Sequence, residues 1–142
     1  MNPETLFSFA NGLALLSWIL LICLGWKRWV SFTVTGTIVP LLLSALYFAL
    51  IALHWGEHSG GFSSLNGVAQ LFENRWLLLA GWIHYLAFDL FIGSWETRDA
   101  MEHGIHHWLV IPCLVLTFLF GPIGLLLYFA IRSRVRSKRG QI

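Results

Sequence analysis

The stretch WIHYLAFDLFIGSWETRDA, Trp82 to Ala100, is apolar enough in its first half to sit in lipid, yet it carries His84 and Asp89 and ends in a cluster of charge. A carboxyl and an imidazole are groups that can give up and take up a proton. An ionisable side chain inside a span costs about 2.5–3.5 kcal/mol on insertion scales, so such residues usually face inward and serve function. Residues three, four and seven apart share a helix face. Tyr85, Asp89, Gly93 and Glu96 therefore form one stripe, and His84 lies on a neighbouring stripe with Gly81, Ala87 and Phe88. The two stripes are about 140° apart. Both are expected to face the bundle interior and to line one lipid-accessible cavity. Glu96, Asp99, Glu102 and His103 continue the polarity as a funnel toward the Arg98 end. The plainer reading is an interhelical hydrogen bond that only fixes packing.

The six histidines suggest a second chemistry. HWGEH, His54 to His58, fits the H-x-x-E-H spacing of an inverted zinc-peptidase helix. HGIHH, His103 to His107, is similar to the H-x-x-H-H boxes of membrane di-iron oxygenases. His103, His106 and His107 are thus candidate metal ligands, for a metal-dependent oxidase. Di-iron hydroxylases gather about eight histidines on one face, however, and here there are six, two in HWGEH, three in HGIHH and His84 apart from both. The two groups are expected on opposite membrane faces, about 30 Å of hydrocarbon apart, and so cannot share a metal. The plainer reading is histidines at helix ends, with their polar tips in the interface. No metal and no cofactor is expected.

The elements that must hold these residues follow from composition. The chain has 142 residues, 57% hydrophobic and only 11% charged, with a mean hydropathy of +0.71. A soluble domain carries about 25% charged residues, so lipid is the expected surrounding. Four apolar runs are long enough to span: about Leu6–Gly25, Thr33–Trp55, Trp76–Trp95 and Ile105–Ile131. The expected fold is an all-α four-transmembrane-helix bundle in one domain, residues 1–131, followed by a basic tail, 132–142. Between spans two and three, Phe62, Leu65, Val68, Ala69 and Phe72 recur at helical spacing after the turn GEHSGGFSS. A short amphipathic helix in the interface is expected there.

Four spans put both termini on one side. Arg75 and the basic tail would then oppose Lys27, Arg28 and Arg98, which favours cytoplasmic termini. The N-terminus has no basic n-region and a long apolar run, unlike a signal peptide. A bacterial inner membrane is the expected location. The tail, Arg132 to Arg139, suits anionic lipid and not nucleic acid. Cys23 and Cys113 are expected to serve packing. In the fourth run, Pro112 and Pro122 free the carbonyls of Trp108 and Phe118. Those carbonyls need a partner from a neighbouring helix or a bound molecule. A structural kink is the plainer reading of these prolines.

The residues Trp82, Ile83, His84, Asp89, Leu90, Phe91, Asp99, Gly121, Pro122 and Gly124, with the linker FSSLNGVAQLF, resemble the pattern of the abscisic-acid-deficient-four-like, or neoxanthin-synthase-like, membrane family. The likeness covers nearly the whole chain. It implies a four-span protein related to plant members required to turn violaxanthin into neoxanthin. That change, a 5,6-epoxide to an allenic alcohol, is an isomerisation that needs a proton donor at the epoxide oxygen and a base at a polyene carbon. The resemblance thus makes His84, Asp89 and Asp99 candidate catalytic residues. Trp82, Tyr85, Phe88, Phe91 and Pro122 become a candidate wall for the polyene. A non-enzymatic carotenoid-binding or assembly subunit is the alternative. The expected partners are the bilayer, a lipophilic polyene, and either further copies of the chain or a larger membrane complex.

Overall fold

Asn2 opens the first helix as an N-cap, its side chain accepting from the Thr5 amide at 2.8 Å, with Pro3 in the first turn. The computed structural model describes residues 2–57 and 59–139. Among them all regular structure is helical. α1 covers Pro3–Leu24. The second long element begins as a π-helical segment, Val30–Ile38, and continues as α2, Val39–His54. Pro40 cannot donate to a helical ladder, and the wide turns before it absorb that loss. Thr35 and Thr37 hydroxyls donate to carbonyls five residues back, at 3.1 and 2.8 Å. After a short 3₁₀ turn comes α3, Leu65–Leu71, N-capped by Ser64. It is the helix expected in the linker. α4, Arg75–Glu102, is capped by Asn74. α5, His107–Phe120, and α6, Pro122–Arg139, complete the chain.

Contacts along α4 fix the direction of α1, of the second long element and of α5 and α6. α1 runs parallel to it: Glu4 pairs with Arg75 at one end, and His107 beside Thr97 meets the Ile22 carbonyl at the other. The second element runs antiparallel, with Ser31 bonded to Arg98, Thr35 to Ser94, and His54 stacked on Trp76. α5 climbs back from His107 to bring Thr117 to Glu96 and Phe118 to Tyr85. α6 then descends beside it, from Gly121 near Asp89 to Arg132 near Asp99 and His103.

Two expectations change here. Among the described residues, three helices are long and apolar enough to cross a membrane: Pro3–Leu24, Val30–His54 and Arg75–Glu102. The fourth apolar run is not one continuous span. α5 has 14 residues, a rise of about 21 Å against the roughly 30 Å of a bilayer core, and α6 returns the way α5 came. Gly121 makes this turn with φ 51°, ψ −99°, a backbone state that a side chain disfavours. Pro122 starts the descending helix, where its missing N–H removes nothing. The start of α1 and the end of α6 therefore lie toward opposite ends of α4, where an even number of spans would put them on one side. α6 passes unbroken through Arg132 to Arg139, so the basic residues continue a helix. Between the helices, Trp18, Ile83, Leu90 and Leu114 fill the core.

Candidate functional site

The α4 face toward the hairpin carries the stripe read from spacing. At its upper end the Tyr85 hydroxyl donates to the Phe118 carbonyl at 3.1 Å. This is one of the carbonyls that a proline in the following turn leaves without its helical donor, and α4 supplies the replacement. One turn below, Asp89 faces the Gly121 bend. A Cβ on Gly121 would sit 3.2 Å from Asp89 Oδ1, so glycine serves both the backbone and the carboxyl's space. Asp89 Oδ2 is buried and makes no hydrogen bond of good geometry among the described residues, the Tyr85 hydroxyl being its polar neighbour.

Farther down, the acids are taken up by the hairpin. Glu96 is fully buried, with the Thr117 hydroxyl 3.1 Å from both carboxyl oxygens. Asp99 accepts from the Tyr128 hydroxyl and pairs with Arg132 Nε at 3.0 Å. His103 closes this cluster. Its Nδ1 donates to the Asp99 carbonyl at 2.8 Å, and its Nε2 accepts from Arg132 at 3.2 Å. The sequence reading passes over Thr117, Tyr128 and Arg132 as site residues. A signal exists for two of them, because Tyr128 and Arg132 stand four apart on one helix face, where the apolar half of α6 gives way to its basic half.

His84 is elsewhere. It is exposed on the side of α4 that meets α2, against Tyr47 at 5.6 Å and stacked on Phe88 at 4.6 Å between ring centres. The expectation that His84 and Asp89 face one interior cavity is therefore corrected. The angular offset carries His84 past the edge of the packed interface. The aromatic wall divides in the same way. Trp82 and Tyr85 stand on the side of α1 and the hairpin, with Trp82 donating to Asn11 at 2.8 Å, and Pro122 opens α6 at the bend. Phe88 and Phe91 belong to the other side, lining a groove of about 380 Å³ with Pro40, Thr37 and Ser44.

The HGIHH residues have three separate roles. His103 joins the Asp99 cluster. His106 is exposed as the residue before α5. His107 donates through Nε2 to the Ile22 carbonyl at 2.9 Å, satisfying an end of α1. Among the described residues, no group of three or more His, Cys, Asp or Glu is placed to hold a metal. His54 lies beside Trp76, at the far end of a 28-residue helix from these three. His58 of the HWGEH motif lies outside the described residues.

The ABA4-like (ABA DEFICIENT 4-like) family model matches residues 5–128. No curated protein and no solved structure matches the chain.

Proposed function

Because the chain belongs to the ABA DEFICIENT 4-like family, we propose that it is a neoxanthin-synthase-like membrane protein that binds a lipophilic polyene and isomerises it through Asp89. The observation that carries this reading is the Asp89 carboxyl. It sits at the bend of the hairpin with Oδ2 buried, beside the Tyr85 hydroxyl but in no hydrogen bond of good geometry, while Glu96 and Asp99 are held by Thr117, Tyr128 and Arg132. Above the bend α5 and α6 no longer cover α4. Trp82 and Tyr85 flank that uncovered stretch, and a polyene arriving sideways from lipid can lie against them.

An epoxide-to-allene isomerisation gains one proton at oxygen and loses one at a polyene carbon. One carboxyl group can do both: its protonated form donates to the epoxide oxygen, and the resulting carboxylate takes the carbon proton. The residue ends as it began. His84, on another face, has no step in this scheme, and Asp99 positions the hairpin.

The same reading places the chain in a bacterial inner membrane with only its C-terminus cytoplasmic. Lys27, Arg28, Arg98 and the five basic residues of the last eleven all lie toward one end of α4, and Arg75 alone lies at the other. Basic residues accumulate on the cytoplasmic side.

The test is Asp89→Asn, expressed in cells that make an epoxy-carotenoid, with pigment extraction and chromatography. Conversion should vanish while pigment binding and thermal unfolding in detergent persist. Undiminished conversion by Asp89→Asn would sink the acid–base reading. Pigment held by the wild-type chain without turnover would leave the binding or assembly role.

A further inference from the structure

At the Arg98 end of the bundle, the end of α1, the end of α4 and the start of α5 enclose a groove of about 1030 Å³. That is the size of a site for a large ligand, at the upper end of the usual range of about 300–1,000 Å³. Its walls include Cys23, Trp26, Met101, Trp108 and Ile111, with the exposed His106 at the rim. It lies below the hairpin's contacts with Glu96 and is separate from Asp89. Lys27 and Arg28 follow Trp26 directly and are exposed beside the groove, not in its wall, with the Arg28 guanidinium 5.0 Å from the centre of the Phe32 ring. Glu102, at the end of α4, is set against Arg98.

We propose that this groove binds an anionic phospholipid, with acyl chain against the apolar walls and phosphate at Lys27 and Arg28. Three observations select that occupant. The walls are apolar, which suits a hydrocarbon chain. Trp26, Trp29 and Trp108 are exposed around this end, and amphipathic indoles settle at the level of lipid headgroups. All basic residues except Arg75 lie toward this end, and each Lys or Arg near a membrane surface favours anionic lipid. A zwitterionic lipid would meet the same walls but gain nothing from the charge.

The two cysteines supply the assay. Cys23 is exposed in the groove, and Cys113 is buried. A maleimide in mild detergent therefore reads Cys23, and Cys23→Ser provides the blank. Phosphatidylglycerol at ten times its dissociation constant is expected to slow labelling about tenfold, since occupancy leaves about one site in eleven free. Phosphatidylcholine at the same concentration should leave the rate close to that in detergent alone. Lys27→Gln with Arg28→Gln should remove the protection, each lost charge weakening binding about fivefold. Both side chains are exposed, and an unchanged unfolding midpoint verifies the fold. Equal protection by the two lipids, no protection by either, or protection that survives the double substitution overturns the proposal. No polyene is present, so the result is independent of Asp89 chemistry.

Discussion

Asp89 and His84 stand five residues apart on α4, yet one faces the bend of the hairpin and the other the outside of the bundle. On the hairpin face, Thr117, Tyr128 and Arg132 reach back to buried acids. On the outer face the imidazole lies between aromatic rings, with no hydrogen-bond partner among the described residues. Polarity within a span is thus no guide by itself to the inside of a bundle. What holds Glu96 and Asp99 inside is another helix that brings a donor or an opposite charge. The hairpin does this, and α2 at the level of Tyr47 does not.

This contrast can be broken most severely at Asp99. Removing one partner of a buried ion pair leaves the other charge uncompensated, a loss of about 3–5 kcal/mol. Arg132 keeps about a fifth of its side chain exposed, so Asp99→Ala is expected at the lower limit, about 3 kcal/mol, read from thermal unfolding in detergent. Gly121→Ala should follow. It forces a side chain onto φ 51° and brings Cβ to 3.2 Å from Asp89 Oδ1, for a loss of about 2 kcal/mol. Tyr85→Phe removes the donor to the Phe118 carbonyl and should lower stability by about 1 kcal/mol. His84→Phe, on the outer face, should change stability by no more than about 0.5 kcal/mol. If His84→Phe destabilises as strongly as Asp99→Ala, the distinction between the two faces is lost.

Much of the inner face is legible in the residues alone. Helical spacing puts Tyr85, Asp89, Gly93 and Glu96 on one stripe, and the missing proline N–H points to a partner for Phe118. Apolar length marks three spans, and helical spacing marks the linker helix. The fourth run misleads because hydropathy counts apolar residues without their direction. Twenty-odd such residues fit one crossing as well as a path up and back. The Gly121–Pro122 pair is the turn signal, and reading it as a kink puts both termini on one side and spreads the basic residues over two faces. His84 misleads for another reason. An offset of about 140° is compatible with one wide interior face only when helices surround α4, and a three-helix upper half leaves part of it bare.

The hairpin also sets an order of assembly. Since α5 and α6 enter and leave at one end, neither helix has to be translocated. In the orientation proposed above, the insertion machinery finishes its work when α4 is seated, before the residues that shelter Glu96 and Asp99 have folded against it. During that interval α4 shows its acids without Thr117, Tyr128 or Arg132. A ribosome that stalls after His103 would release a chain with all its crossings made and its acids bare, the kind of unpaired polar helix on which membrane proteases and chaperones act.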